Sequence, residues 1–169
     1  DSLDIYLKEL NVNFSYADPG KSRQHSIYNG LQMVKKFAEN DDIVIIHDAA
    51  RPLINEELIT SCIMGAKDKD GAMPVIPIKD TIYLSKDRQT ITSLLRRDEL
   101  FAGQSPEGFK FGKYYDIHKM LNEEEIHKIT GSSEIAFNNN MDIKLIEGSE
   151  MNFKITTMED YKKFVNIIE

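Results

Sequence analysis

The chain has no tryptophan and a single cysteine, Cys62, among 169 residues. A lone cysteine excludes an internal disulfide framework and fits a reducing, cytoplasmic setting. No apolar run approaches the roughly 20 residues of a membrane span, and no signal-peptide pattern opens the chain, so no membrane association is expected. Both familiar phosphate loops, Walker A and G-x-G-x-x-G, are missing. The four histidines, His25, His47, His118 and His127, include no H-x-x-x-H pair and have no cysteine cluster beside them, which argues against a zinc centre. Ser105 lacks a nucleophile-elbow context, so no serine-based triad is built. Basic charge is scarce too: 21 Lys and Arg stand against 28 Asp and Glu, a net charge of −7. That excludes a broad nucleic-acid surface. It leaves room for a small phosphorylated ligand where cations converge locally.

What is present reads as one globular α/β domain over 1–169, since 41% hydrophobic content is enough for a real core at this length. The most informative stretch runs from Asp42 to Pro52. Ile43, Val44, Ile45 and Ile46 form an unbroken apolar run, as in a strand covered on both faces within a parallel sheet. His47, Asp48 and Arg51 then arrive together at its carboxyl end, where ligands of open α/β sheets gather. A buried strand followed by an ordinary turn, with Asp48 and Arg51 paired only for structure, would carry the same residues.

Around this stretch the chain reads in order. Asp1 to Leu10 suggests a short helix and Val12 to Tyr16 a strand. Ser22 can cap a helix bearing Ile27, Leu31, Val34 and Ala38; Asn55 can cap the next, with Cys62 on its apolar face. Ala72 to Ile78 is a strand whose two prolines demand a bulge or an open side. Strand, helix and strand from Ile43 to Ile78 make a βαβ unit with parallel strands. Thr81–Leu84 and Thr90–Leu95 flank a charged turn as a hairpin, an arm expected within 80–105. Phe111 to Leu121 reads as a helix, Asn122 to Glu125 as a helix start or a loop, and Ser132 as the start of a short helical piece. Ile143–Ile146 is a strand and Phe153–Ile155 a short extended segment. Thr157–Asp160 matches a capping box for a last helix with Tyr161, Phe164, Val165 and Ile168 on one face.

Three features could carry chemistry. Gly20-Lys21-Ser22-Arg23 through Ser26 is a glycine turn with two bases entering a helix N-terminus, suited to an anion but also to a plain capped turn. Lys154, between Phe153 and Ile155, must leave the core or meet a charged partner. Arg96 and Arg97 are a basic pair that a solvated surface would equally explain.

Together these pieces resemble the cytidylyltransferases that act on methylerythritol phosphate and their relatives acting on ribitol phosphate. The matching segments are Gly20-x-x-Arg23-x-x-Ser26-Ile-x-Asn29-Gly30-Leu31, Ile46-His47-Asp48-Ala49-Ala50-Arg51-Pro52, Asp80-Thr81, Arg97, Ser105-Pro106-Glu107 in place of Thr-Pro-Gln, and Asn152-Phe-Lys154-Ile-Thr-Thr157-x-Glu-Asp160. Departures are Pro19 for a glycine, Lys21 for an acid, and Thr130-Gly131-Ser132-Ser133-Glu134 for a more acidic segment. The family's opening strand and glycine-rich triphosphate loop have no match, a difference of two strand–helix units or roughly 60 residues.

The resemblance implies a Rossmann-like nucleotidyltransferase sheet, mostly parallel, lacking its N-terminal part and carrying a β-hairpin dimer arm. It implies transfer of CMP from CTP to a polyol phosphate with release of pyrophosphate. Gly20, Ser26 and Asp48 would bind nucleotide, and Asp48 and Lys154 would be catalytic. Arg51, Thr81, Ser105, Thr130 and Arg97 of the partner subunit would grip the acceptor. Mg2+ or another divalent cation would bridge phosphates, with Asp48 the one candidate metal ligand. The Ala49-Ala50 pair favours methylerythritol 4-phosphate over ribitol 5-phosphate. The rival reading is a non-catalytic homologue that only dimerises.

Overall fold

The computed structural model describes Leu7, Glu9 and residues 13–169. The helix expected over Asp1–Leu10 therefore lies, apart from those two residues, outside the described part. Residues 13–20 have no regular structure, so the strand expected to end at Tyr16 is not formed there. Helix α1 (Arg23–Val34) begins where the Ser22 hydroxyl accepts the His25 N–H at 3.2 Å. Strand β1 is Ile43–Ile46. Helix α2 (Glu56–Asp68) is capped by Asn55, whose Oδ1 accepts the Leu58 N–H at 2.9 Å, with Glu56 and Glu57 favourably placed at the positive end of the dipole. Removing such a cap typically costs about 1 kcal/mol.

Strand β2 (Gly71–Pro77) follows, then the arm, whose strands β3 (Tyr83–Leu84) and β4 (Ser93–Leu94) pair only with each other in the described structure. Both are shorter than the sequence suggests. The turn between them is held by Asp87, which accepts from Ser85, Gln89 and Thr90, so side-chain bonds replace part of the ladder. Strand β5 (Phe101–Gly103) closes the range expected for the arm, yet it pairs with β2 and belongs to the main sheet. Then come β6 (Glu107–Lys110), α3 (Phe111–Met120), α4 (Glu123–Lys128), α5 (Ser132–Asn138), β7 (Ile143–Glu147) and α6 (Met158–Ile168). The ambiguous Asn122–Glu125 stretch is a helix start with a full capping box.

In the sheet, β1, β2 and β7 share one direction; β6 sits antiparallel between β1 and β2, and β5 runs antiparallel beside β2. Strand β1 is half-buried, less covered than its composition suggests, and among the described residues its one ladder is with β6. Strand β6 was hidden in the sequence by Pro106 and Gly108, which look like a loop. Gly108 is needed because a Cβ there would lie 3.0 Å from the Cys62 carbonyl and 3.3 Å from the Ala66 Cβ, so α2 packs directly on the strand backbone. Pro74 does mark an interruption. Met73 and Pro74 on β2 face four residues, Gln104 to Glu107, on the opposing chain. The bulge is on that opposing chain, and it pushes Ser105 out of the ladder.

The core gathers Leu31, Phe109, Phe111, Tyr114, Ile117 and Ile135, with the Phe109 and Tyr114 rings stacked at 4.0 Å. Cys62 is buried as expected, its thiol donating to the Pro106 carbonyl and pushed up to about 12 by burial. The apolar face of α6 is less sheltered than its pattern suggests: no residue of the helix is buried, and Ile168 is 60% exposed.

Candidate active site

The loop after β1 turns at once, the Arg51 N–H donating to the Asp48 carbonyl at 2.9 Å. Pro52 ends it. Asp48 receives Arg23 from the first turn of α1, with Nη2 2.9 Å and Nε 3.2 Å from Oδ1. Its other oxygen, Oδ2, faces Lys154 Nζ at 3.1 Å. Lys154 is brought there by a backbone bond from the Ile155 N–H to the Ala50 carbonyl, 2.8 Å, which ties the segment after β7 to the β1 loop. Burial alone would raise the Asp48 pKa. The hydrogen bonds and charges of Arg23 and Lys154 outweigh it and hold the carboxyl below its ordinary value.

Ser105, on the bulge, is fixed from two sides. Its Oγ accepts the Asp48 N–H at 3.1 Å and lies 3.4 Å from His47 Nδ1. Since His47 Nε2 is 3.1 Å from the Arg51 carbonyl, which only accepts, the imidazole carries its proton on Nε2 and leaves Nδ1 to accept from Ser105. Arg51 donates from Nη1 to the Asn152 carbonyl at 2.6 Å, and Asn152 donates to the Ser105 carbonyl at 2.7 Å. Burial lowers the Arg51 pKa, against the opposing charges of Asp48 and Glu107. Its Nε is buried without a partner, a donor available to a ligand.

Arg23, Asp48 and Lys154 stand on the boundary of two cavities. One, of about 750 Å3, is also lined by Arg51, Ser105 and Thr130. The other, of about 330 Å3, is also lined by Ser26, Ala49 and Ala50. The expected residues Asp48, Lys154, Arg51, Ser105, Thr130 and Ser26 thus come together. Thr130 is braced by Glu134, its N–H and hydroxyl donating to Oε2 at 2.9 and 2.7 Å. Gly20 reaches the site only through Ser26, whose Oγ accepts the Gly20 N–H at 2.9 Å. A Cβ on Gly20 would lie 2.5 Å from the Ser26 nitrogen, so the close approach needs glycine. Thr81 and Arg97 lie on the arm outside both cavities, Arg97 donating to the Lys79 carbonyl at 2.9 Å.

Sequence reasoning overlooked Arg23 as a site residue, although it stands in the quoted glycine–serine motif at the helix entry. It also overlooked Glu107, hidden in an unrecognised strand, and Ser132 and Ser133. Arg23 Nη1 donates to Ser132 Oγ at 2.9 Å, joining α5 to the ion triad.

As a protein ligand Asp48 is a poor fit for Mg2+. Both its oxygens already face cations, and no group of three metal-binding side chains exists among the described residues.

The fold and site define an α/β protein whose cavities open where polar groups follow a sheet strand. The family model described as 2-C-methyl-D-erythritol 4-phosphate cytidylyltransferase matches residues 8–169. The chain is 35% identical over 150 residues to such a protein of Clostridioides difficile, covering 89% of this chain and 60% of that one. It is 32% identical over 145 residues to a ribitol-5-phosphate cytidylyltransferase of Streptococcus agalactiae, covering 86% and 61%. The crystal structure of the Anaerococcus prevotii 4-diphosphocytidyl-2C-methyl-D-erythritol synthase superposes with a TM-score of 0.84 at 25% identity, over 99% of this chain and 72% of that one. The chain therefore belongs to the 2-C-methyl-D-erythritol 4-phosphate cytidylyltransferase family. It spans about 60% of the length of these two curated relatives.

Proposed function

We propose that the protein takes part in cytidylyl transfer from CTP to a polyol phosphate, with methylerythritol 4-phosphate as the acceptor. The observation that supports this best is the convergence of Arg23 and Lys154 on Asp48 at the boundary of two cavities. In this reading cytidine lies on the Ser26 side and the acceptor on the Arg51, Ser105 and Thr130 side. An acceptor phosphate oxygen attacks the α-phosphorus, forming one P–O–P linkage while the α–β bridge breaks and pyrophosphate leaves. Lys154 moves from Asp48 to the charge growing on the α-phosphate, an electrostatic role in which preorganised cations are strongest. Arg51, with its free Nε, grips the acceptor phosphate, for which a planar guanidinium is suited. A divalent cation would come with the nucleotide, not be held by these side chains, and would supply charge neutralisation. Local cations also reconcile a polyanionic ligand with the net charge of −7.

The reading extends to a homodimer in which Thr81 and Arg97 of the partner subunit complete the acceptor site, and to a cytoplasmic location consistent with the lone thiol. Among the described residues no helix is long and apolar enough to cross a membrane. Ribitol 5-phosphate is the second candidate, because relatives of similar identity carry that name and the cavity of about 750 Å3 has room for either polyol. A methyl-sized difference in a pocket is worth only about 1–3 kcal/mol. The test is competition of both acceptors at equal concentration with the full-length protein, CTP and Mg2+, products resolved by mass spectrometry. CDP-methylerythritol is expected to dominate. A tenfold preference for ribitol 5-phosphate would reverse the acceptor, and transfer to neither would remove the reading.

A further inference from the structure

Glu107 opens β6 opposite Ile46 and lines the larger cavity, at 7% exposure. Its carboxylate is clamped at one oxygen: Oε1 accepts both the N–H of Ser133, at 3.0 Å, and its hydroxyl, at 2.6 Å. The second oxygen has no hydrogen bond from any described residue. The nearest cation, Arg23 Nη2, is 3.9 Å from Oε2, beyond hydrogen-bond reach, and is already committed to Asp48. That oxygen faces the cavity with no protein donor on it, so a donor brought by a ligand is its natural complement there.

The chemistry of that donor is restricted. A carboxylate accepts but cannot donate, so it welcomes a hydroxyl and repels a phosphate oxygen. Arg51 and Lys154 line the same cavity and attract the phosphate. A ligand with hydroxyls at one end and a phosphate at the other is thereby given one orientation.

We propose that Glu107 is a specificity-determining residue for the acceptor: its free Oε2 accepts a polyol hydroxyl and directs the phosphate end toward Arg51 and Lys154. This rests on the cytidylyl-transfer reading above. The Ser133 clamp keeps Oε2 in place before the ligand arrives, the condition under which a single bond discriminates.

The experiment compares wild-type, Glu107→Gln and Ser133→Ala full-length protein against the acceptor and its monodeoxy analogues. Glutamine preserves the shape, and with its oxygen on the Ser133 clamp it offers the cavity a neutral NH2 donor in place of a charged acceptor. Wild type is expected to lose about tenfold in kcat/KM with one of the analogues. Glu107→Gln should raise the KM of the intact acceptor about tenfold, leave the KM of CTP unchanged, and shrink the extra penalty for that analogue, because a neutral amide bond to the hydroxyl replaces the charged one. Ser133→Ala, which keeps the carboxylate and the backbone N–H half of its clamp, should retain the penalty. If Glu107→Gln keeps the full deoxy penalty, or Ser133→Ala reproduces its effect, Glu107 merely fastens α5 and the inference is overturned. Should Glu107→Gln fail to fold, wild type alone decides: no analogue losing about tenfold sinks the idea. Wild type that uses no polyol phosphate removes the functional reading, and this inference with it, whereas normal turnover with no effect of Glu107→Gln removes this inference alone.

Discussion

At the residue scale the question is why two cations crowd one carboxylate. Stability is a weak answer. Asp48 is 17% exposed at its side chain, but Arg23 and Lys154 are 37% and 43% exposed, and pairs so accessible contribute about 1 kcal/mol or less. The arrangement makes more sense as a store of positive charge held ready for an incoming anion. Lys154→Ala is accordingly expected to lower kcat for cytidylyl transfer by about 10²-fold or more with little change in the KM of CTP, because the lysine acts on charge that grows in the transition state. Steady-state kinetics check this; equal changes in both parameters, or none, would leave Lys154 a structural residue. The same scale explains why Arg51 is not interchangeable with lysine. Its Nη1 holds the Asn152 carbonyl while Nε stays available, and only a forked cation can do both.

Among the elements, the arm stands apart. Strands β3 and β4 pair over two residues each, and an isolated two-stranded ribbon is marginal in water. It also exposes Tyr83, Leu84, Ile91 and Leu94 along a short stretch. Its turn is nonetheless well made: hydrogen bonds from Thr90, Gln89 and Ser85 hold the Asp87 carboxyl well below the usual carboxylate range. A stiff turn carrying bare apolar side chains is what an element buried by a second copy would need. Deleting Thr81 to Thr92 should therefore convert a dimer into a monomer, as read by light scattering. A deletion variant that stays dimeric would assign the contact elsewhere, for instance to the exposed apolar side of α6.

For the whole molecule, a buried polar chain links three helices beneath the site. Gln24 of α1 donates from Nε2 to Tyr114 and His118 of α3, at 3.3 and 3.0 Å, and the Tyr114 hydroxyl donates to the Ser132 carbonyl of α5 at 3.3 Å. His118 Nδ1–H donates to the Tyr114 carbonyl at 2.8 Å, so its Nε2 must stay unprotonated to accept from Gln24. Burial pushes the His118 pKa down to about 4 from 6.5. Between those values the unfolded chain binds a proton that the folded one refuses. The stabilisation is therefore complete above about pH 6.5 and is lost progressively as pH falls toward 4, on the order of 3 kcal/mol in all. The groups packed on the ring are Tyr114, Tyr28 and Gln24, none of them a carboxylate or an amine. Urea unfolding at pH 7 and pH 4.5 should show a larger drop for wild type than for His118→Gln, which lacks the titrating group. Equal drops would mean that the loss comes from carboxylates alone.

What the sequence determined by itself is everything written within a few residues. The Ser22, Asn55 and Thr157 caps each join groups three residues apart, and the polar block after Ile46 follows from Pro52 and an apolar run that must end. The family was readable for the same reason, since its motifs are short and contiguous. The tertiary structure alone decided the rest. Strand β6 exists because it pairs with β1 and β2, and its Gly108 is bare because α2, more than forty residues away in the chain, packs on that backbone. Among the described residues β1 pairs with β6 alone, and which strands pair is nothing an apolar run can state. The site is assembled across 25 residues from Arg23 to Asp48, 106 from Asp48 to Lys154 and 26 from Glu107 to Ser133. Bonds between side chains so far apart leave no local pattern; only the packing of the sheet and its helices brings those charges within reach of one another.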